Sequence, residues 1–407
     1  MGYTPEEVIK KVQEENVRFI CLSFTDILGN RKSVTILPEQ LPRAFRTGIP
    51  LDASQIEGFR PDSAKIDLLI RPDPDSLSEM SYSLMKPDEG HILHMYADIY
   101  YPDGCPFEND PRLILKSAVE TAESGGYSIY FGPAMEFYLM KDGVGEMSPR
   151  VPYDNAGYME SWPTDKCELI RREICYGLKS MEIQPECAYH EAGPGQNKIK
   201  FRFADAVRAA DAVISYRSIV QAIADEHGLY AEFSPKPLEK GPGNSMHINM
   251  SIRSEDGVDR TPHIIAGILS KLPEITAFLN PTKKSYKRLG HDHSPKYISW
   301  SEANRSTAIR IPAYGKYTRF ELRTPDNGTN PYIAFALLIY ACLYGINEKP
   351  ELQKASNEDL FTADSKTLSR LKALPMSLTD AQNKAKESGF VKAHLPKRLI
   401  DTYTKDR

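Results

Sequence analysis

Strand-like and helical segments alternate along most of this chain, and this order restricts the folds that it can adopt. Helices are predicted over residues 111–124, 164–181, 204–227 and 331–346, and a last helical region contains 378–388. Strands are predicted between them over 127–140, 186–190, 198–203, 231–235 and 245–253. We find no internal repeat and no low-complexity linker, so the larger part of the chain is predicted to be one α+β domain.

A smaller domain is predicted ahead of it. A small mixed sheet is expected in the first hundred residues, from strand-like segments over 17–25, 31–37 and 91–99. The turn residues of Asp26–Asn30 join the first two segments into a hairpin. The turn-rich segment Tyr101–Pro106 is the best candidate for a boundary, which predicts domains of residues 1–105 and 106–407.

Composition excludes several classes of protein. The 407 residues carry a net charge of -4 with no basic tract, so nucleic acid is not an expected partner. Six scattered cysteines without CxxC spacing favour reduced core thiols over a disulfide framework or a zinc site. The N-terminus does not resemble a signal peptide, and no apolar run approaches the roughly 18 residues of a membrane span. We therefore expect a cytoplasmic enzyme that acts on small molecules, without a membrane partner.

The segment from Asn304 to Tyr332 concentrates charge. Residues two apart in a strand share a face, so Arg319, Glu321 and Arg323 are expected side by side. Further basic residues precede them, namely Arg305, Arg310 and Lys316. Because guanidinium groups bind carboxylate and phosphate oxygens, the segment predicts an anion site in which Glu321 neutralises an arginine or holds a metal ion. A structural network of salt bridges is the alternative.

Acidic or histidine residues also occur in four separated strand-like segments, at Glu136, Glu191, His247 and Glu321. Carboxylate oxygens and an imidazole suit Mg²⁺ or Mn²⁺, ions that activate phosphate transfer. Taken singly, His247 is more simply a core histidine and Glu136 an arginine partner. The set predicts a metal site only if the fold brings its members together.

The order and flanks of these segments resemble one family, the glutamine synthetases. The resemblance covers residues from about 15 to 400 and is carried by Asp26–Gly29, Leu51–Phe59, Asn280–Thr282, Ser285–Leu289, Asn304–Pro312, Arg319–Asp326 and Leu374–Leu378. It implies an α+β fold, with an N-terminal β-grasp domain followed by a catalytic domain that has a curved antiparallel sheet. It also implies a homo-oligomer of stacked rings, most often a dodecamer.

The family reaction implied by this resemblance is a ligation. ATP activates the γ-carboxylate of glutamate as an acyl phosphate, and ammonia or another amine then attacks the activated carbon. ATP and Mg²⁺ or Mn²⁺ would be the cofactors. Such chemistry depends on positive charge at the developing phosphate oxyanions.

The resemblance also implies roles for individual residues. It assigns Glu136 and Glu191 to a first metal, and His247 and Glu321 to a second. The implied substrate-binding residues are Gly243, His247, Arg288 and Arg323. The implied nucleotide-binding residues are Glu186, Phe203, Ser251, Arg310, Lys316 and Arg319. Arg305 would stabilise the transferring phosphoryl group, and Asp52 would reach into the ammonium pocket of a neighbouring subunit.

Two departures from the family pattern weaken the implied metal site. Ala134 and Lys198 stand where the family places glutamate ligands, so each metal loses one of three protein ligands. The Lys198 ammonium is expected to point at Glu136 and Glu191 and to take the place of a cation. Because a metal site needs enough ligands as well as negative charge, reduced or absent metal occupancy is expected.

A third departure affects the flap over the substrate. Gly290–Pro295 replaces the family motif, so its glutamate is missing, although His291 and His293 offer other basic groups. Three functions remain open. The first is an ATP-dependent ligase with an altered metal requirement. The second is a binding, regulatory or structural oligomer without ligase activity. The third is a different reaction in the same pocket, with Lys198 and the two histidines as candidate groups.

Overall fold

Two β-sheets with separate hydrophobic cores organise the computed structural model, which describes residues 2–60, 67–80, 90–143, 149–312 and 319–405. One core draws on residues between Val8 and Phe107, and the other on residues between Tyr96 and Tyr403. The division into residues 1–105 and 106–407 remains a proposal, which these two cores support.

The N-terminal sheet has six strands in the described residues, in the order β2-β1-β6-β4-β3, with β5 paired to β6. The strands are β1 (Val17–Thr25), β2 (Arg31–Ile36), β3 (Ile49–Asp52), β4 (Asp67–Pro72), β5 (Ser78–Glu79) and β6 (His91–Tyr100). The helices α1 (Pro5–Glu14) and α2 (Leu41–Thr47) accompany the sheet. Strand β1 pairs in parallel with β6, and the predicted hairpin joins β1 to β2. Helix α1 begins with a capping box between Thr4 and Glu7, which satisfies amides that the first turn leaves free.

The larger sheet has ten described strands, and its main path runs β14-β15-β16-β13-β7-β10-β9. Its strands are β7 (Tyr127–Lys141), β8 (Val151–Pro152), β9 (Pro185–His190), β10 (Gln196–Phe201), β11 (Ala204–Asp205), β12 (Tyr230–Glu232), β13 (Met246–Ser254), β14 (Trp300–Glu302), β15 (Ile309–Ile311) and β16 (Phe320–Leu322). Strand β7 is central and is buried from Phe131 to Met140. Burial on both faces explains its nearly continuous apolar sequence.

The predicted antiparallel sheet carries one parallel pair of strands at its edge. Strand β14 runs parallel to β15, and all other pairs of this sheet are antiparallel in the described residues. Only six residues connect β14 to β15, which is shorter than the usual connection between parallel strands. Sequence patterning gives no strand direction, so this edge was not predictable.

The helices of this part of the chain support the sheet. They are α3 (Pro111–Ser124), α4 (Glu168–Ser180), α5 (Ala206–Glu226), α6 (Thr261–Leu279), α7 (Lys283–Arg288), α8 (Pro331–Glu348), α9 (Ser365–Leu368), α10 (Leu378–Glu387), α11 (Gly389–His394) and α12 (Lys397–Tyr403). Helix α8 packs against α3, α5 and α6.

Helix α8 also corrects the expectation that no apolar run approaches spanning length. It is the one helix in the described ranges that is long and apolar enough to cross a membrane by length and composition, with a mean hydropathy of 1.3. However, 72% of its 18 residues are buried inside the protein. It is therefore a core helix in this structure.

Two glycines set the distance between α6 and α8. A Cβ at Gly267 would lie 2.5 Å from the Ala341 carbonyl oxygen and from the Gly345 Cα, both of which are backbone atoms. We expect Gly267→Ala to lower the free energy of unfolding by about 2–3 kcal/mol, because the helices must separate. Urea denaturation measures this change. Gly389→Ala is the control, since nothing lies within 4 Å of its added Cβ, and equal losses in both variants would contradict the expectation.

Three of the six cysteines are buried, namely Cys21, Cys167 and Cys342. Cys105 and Cys187 are exposed, so the prediction that the thiols lie in the core is wrong for these two. Cys105 lies in the turn between β6 and α3, and Cys187 lies on β9 at one edge of the sheet.

Candidate active site

One face of the large sheet brings together the charged residues of β7, β10, β13 and β16. Lys198 lies directly across from Glu136 in the β7/β10 ladder, and His247 lies across from Ala134 in the β7/β13 ladder. Glu321 follows on β16, two strands from β7. Because side chains on one face alternate with those on the other, these groups project to the same side.

The Lys198 ammonium is the centre of this group. Its Nζ lies 2.7 Å from Glu136 Oε1, 3.1 Å from Glu191 Oε1 and 3.4 Å from His247 Nδ1. Burial alone would lower the pKa of Lys198, but the charges of Glu136 and Glu191 raise it well above its ordinary value. Lys198 is therefore a buried, permanently charged ammonium in this site.

The two carboxylates beside Lys198 are held differently. Burial alone would raise the pKa of Glu136, but the Lys198 charge lowers it, and the Ser245 amide donates to Glu136 Oε2 at 2.7 Å. Burial raises the pKa of Glu191, and its longer contact with Lys198 offsets this only in part. Glu136 is therefore the tighter partner of the ammonium.

Glu321 is held by arginines. Its Oε2 accepts hydrogen bonds from Arg310 Nη1 and Arg323 Nη1, both at 3.2 Å, and its Oε1 lies 3.4 Å from His247 Nδ1. Burial alone would raise the pKa of Glu321, but the His247 hydrogen bond and the Arg323 charge hold it well below its ordinary value. Burial, with the charges of Lys198 and Arg323, lowers the pKa of His247 to about 4. At neutral pH an ionised Glu321 therefore faces a neutral imidazole.

The residues at the first implied metal position do not fit a divalent cation. A metal bound by Glu136 and Glu191 would compete with an ammonium that already contacts both carboxylates. At the second position, Ala134 offers no side-chain oxygen, and two arginines hold one oxygen of Glu321. Since Mg²⁺ and Mn²⁺ need several oxygen or nitrogen ligands, neither position provides a protein set of the usual kind.

Arg288 and Gly243 lie together beside this charged group. Arg288 donates from Nη1 to Ser245 Oγ at 2.9 Å and from Nη2 to the Thr324 carbonyl. Burial lowers the pKa of its guanidinium. A Cβ at Gly243 would lie 2.6 Å from Arg288 Cγ and 2.4 Å from the Pro235 carbonyl oxygen, so only glycine fits. Arg323, the other implied substrate residue, also donates from Nε to the Arg305 carbonyl at 3.0 Å.

The implied nucleotide residues are spread across the large sheet, from β9 at one edge to β15 near the other. Glu186 is exposed on β9, and the Phe203 ring contacts Gly132. Ser251 lies on β13 opposite Tyr130. Arg319 precedes β16, and its buried Nε has no hydrogen-bond partner in the part of the chain that the structure describes. Lys316 lies outside the described residues.

The two implied catalytic residues, Arg305 and Asp52, are both exposed. Arg305 lines an open groove together with His190 and Lys200. Asp52 ends β3 and accepts a hydrogen bond from the Ser54 amide at 2.9 Å. A role for Asp52 in a neighbouring subunit remains a prediction.

Comparison with known proteins identifies the family. A family model described as "Glutamine synthetase, catalytic domain" matches residues 108–407, and one described as "Glutamine synthetase, beta-Grasp domain" matches residues 16–102. A glutamine synthetase of Methanosarcina mazei is 39% identical, over 98% of this chain and 92% of its own length. The chain belongs to the glutamine synthetase family.

Two further similar proteins support the same family and the same fold. A glutamine synthetase of Thermus thermophilus is 37% identical, over 94% of this chain and 89% of its own length. A solved structure titled "GmaS/ADP complex" has a TM-score of 0.87 at 25% identity, over 97% of this chain and 93% of that chain. These matches confirm the predicted family and the β-grasp and catalytic architecture. The roles carried to single residues by position stay predictions.

Sequence reasoning missed a buried cluster next to the site. Potential ligand atoms of Asp154, Asp165, Cys167 and His190 lie within 4.8 Å of one another. These groups already have protein partners: His190 Nε2 lies 3.0 Å from Asp154 Oδ1, and Asp165 pairs with Arg171. His190 Nδ1 also lies 2.7 Å from the carbonyl oxygen of Glu191. The cluster therefore anchors the turn that carries Glu191, and its wide sequence spacing gave no signal.

Proposed function

We propose that this chain is an ATP-dependent ligase that joins the γ-carboxylate of glutamate, or of a related acid, to ammonia or another amine. The proposal rests on family membership and on curated relatives named glutamine synthetase. Its departure from the family pattern rests on one observation, the Lys198 ammonium between Glu136 and Glu191. We infer that this fixed cation replaces the first divalent metal and that metal occupancy at the second position is reduced.

The reaction would proceed in two transfers. An oxygen of the substrate carboxylate attacks the γ-phosphorus of ATP, so that a P–O bond forms and ADP leaves. The amine nitrogen then attacks the acyl carbon, phosphate leaves with the C–O bond electrons, and the nitrogen loses a proton. Both steps gather negative charge on phosphate oxygens, which guanidinium groups stabilise. Arg305, Arg310, Arg319 and Lys316 are the proposed groups for this role.

Substrate would bind at the other end of the site. We propose that Arg288, Arg323, Gly243 and His247 surround the amino-acid substrate, and that Glu186, Phe203 and Ser251 surround the nucleotide. A neutral His247 can donate a hydrogen bond to a carboxylate without adding charge. Metal chemistry at Glu136 and Glu191 is not part of this proposal, because Lys198 already occupies their contact positions.

A homo-oligomer of stacked rings, with twelve subunits, is part of the same proposal. The supporting observation is a set of exposed apolar side chains on and around α4, namely Tyr158, Met159, Trp162, Leu169 and Tyr176. Exposed apolar clusters of this kind are typical of protein interfaces. Light scattering of the purified protein would give the subunit number. A cytoplasmic location also remains a proposal.

A family member without ligase activity is the second candidate. The observation that favours it is internal neutralisation: Lys198 pairs with Glu136 and Glu191, and Arg310 and Arg323 pair with Glu321. A reaction with Lys198 as nucleophile is disfavoured, because its raised pKa keeps the amine protonated.

Phosphate release tests these alternatives. The protein is mixed with ATP and L-glutamate, with a panel of amines that includes ammonia, and with Mg²⁺, Mn²⁺ or excess chelator. We expect phosphate release that requires both glutamate and an amine. Excess chelator should lower this release by a smaller factor than it lowers release by the Methanosarcina mazei relative. No turnover with any amine, together with no ATP binding by calorimetry, would reject the ligase and favour the second candidate. Tight binding of two Mn²⁺ ions per subunit would reject the replacement of a metal by Lys198.

A further inference from the structure

An ion pair joins two loops that meet beside Arg288 and Gly243. The Lys236 ammonium pairs with the Asp292 carboxylate and also donates to the Gly241 carbonyl oxygen at 2.5 Å. Lys236 lies between β12 and β13, whereas Asp292 lies in the segment that follows α7. The Lys236 side chain is only 10% exposed, and that of Asp292 is 42% exposed.

The first loop, residues 234–245, folds back on itself beside Arg288. The backbone amide of Asn244 donates to the Pro235 carbonyl at 3.0 Å, and Gly243 packs directly on Arg288. The Tyr138 hydroxyl donates to the Pro242 carbonyl at 2.7 Å. This loop therefore forms one wall beside the Arg288 guanidinium.

The second loop, residues 289–295, has an unusual backbone. Gly290, Asp292 and His293 have φ values of 78°, 44° and 69°, and two of these residues are not glycine. Left-handed conformations at non-glycine residues are strained and need support from surrounding contacts. His291 and His293 are exposed, so the Asp292 side chain supplies the charged contact of this loop.

Both loops adjoin Arg288. The loop that carries Asp292 begins directly after Arg288, the last residue of α7, and the loop that carries Lys236 packs on Arg288 through Gly243. The ion pair therefore joins two segments that border the same guanidinium.

We propose that Lys236 and Asp292 form a latch that closes the two loops over the amino-acid pocket at Gly243 and Arg288. With the latch formed, the loops are fixed in one arrangement and retain the ligand; with it broken, both loops open and the ligand exchanges. The two residues are positioning residues, because they act through Gly243 and Arg288. The identity of the ligand, an amino acid, rests on the proposed function, whereas the coupling of the loops does not.

Hydrogen exchange tests the coupling directly. The intact protein is compared with Lys236→Met, with Asp292→Asn, and with the charge-swapped double variant Lys236→Asp/Asp292→Lys. Either single variant should raise exchange about 10-fold in both loops, since each loop loses its partner, and the swapped pair should restore protection. Lys284→Met, an exposed lysine on α7, is the matched control and should leave both loops unchanged.

Calorimetric binding of L-glutamate tests the consequence. Each single variant should weaken binding about 10-fold, with recovery in the swapped pair. The latch is overturned if exchange rises only in the substituted loop, if the swap does not restore protection, or if L-glutamate binds single variants as tightly as the intact protein. If the intact protein binds no L-glutamate, the proposed substrate fails, and the exchange results still decide whether the loops are coupled.

Discussion

Lys198→Met is expected to lower the free energy of unfolding by about 3–5 kcal/mol in the presence of a chelator. The substitution leaves Glu136 and Glu191 buried beside each other without their shared cation. Like charges at short range and incomplete solvation both oppose such a pair. The measurement is chemical denaturation, followed by circular dichroism at neutral pH.

A divalent ion should partly reverse this loss. Mn²⁺ added to Lys198→Met should raise the free energy of unfolding by about 2–3 kcal/mol at 100 times its dissociation constant, because it binds only the folded carboxylate pair. Mn²⁺ should raise the free energy of unfolding of the intact protein by much less, because Lys198 already contacts both carboxylates. Electron paramagnetic resonance would count the bound Mn²⁺ in each variant.

Lys200→Met is the matched control for this prediction. Lys200 lies two residues further along β10, and its ammonium lies near the Tyr189 ring, 5.9 Å from the ring centroid. Its loss should change stability by less than about 1 kcal/mol. A small effect of Lys198→Met, or equal Mn²⁺ stabilisation of the intact protein, would show that the ammonium does not substitute for a metal.

Arg112→Met is expected to destabilise the protein by a similar amount, about 3–5 kcal/mol. Arg112 lies on α3, and its guanidinium contacts Asp73 at 2.8 Å, Asp98 at 2.6 Å and Asp211 at 3.0 Å. Asp73 and Asp98 belong to the N-terminal sheet region and Asp211 to α5, so one buried cation holds the two regions together. Arg208→Met is the control, because Arg208 is exposed and its contact with Asp205 is 3.6 Å.

The acid dependence of stability provides a second readout. Burial alone would raise the pKa of Asp73, but Arg112 and Lys116 lower it to about 2. A depressed carboxyl pKa stabilises the folded state above about pH 4, and this stabilisation is lost as the pH falls toward 2. In Arg112→Met the pKa of Asp73 should move back toward its ordinary value, so this loss should be smaller. If the free energy of unfolding of Arg112→Met fell with acid as much as that of the intact protein, Arg112 would not be the cause of the lowered Asp73 pKa.

Local sequence patterns predicted much of the fold. Helix α3 occupies the predicted residues, and β1 has the predicted bounds, because capping, alternation and turn residues act over a few neighbouring positions. The ends of other elements shifted by a few residues: α4 begins at Glu168 rather than residue 164. Strand direction at β14 and β15 depends on the path of a connecting loop, which local patterns do not encode.

The candidate site was predicted only in part. The proximity of Lys198 to Glu136 followed from the resemblance, and the structure shows the contact. The contact between Arg310 and Glu321 depends on the pairing of β15 with β16. The contact between His190 and Asp154 joins residues that are 36 positions apart in the sequence. The Lys236–Asp292 pair joins two loops 56 residues apart, so no local pattern could indicate it.

The sequence by itself determined the family, the order of the elements and the identity of the charged groups. Each of these follows from residue types at fixed positions along the chain. Only the tertiary structure decided which charges are neighbours, because strand pairing and burial bring distant residues within hydrogen-bond distance and remove the water that would screen them. The place of Lys198 between two buried glutamates is therefore a property of the folded sheet, although the lysine itself is visible in the sequence.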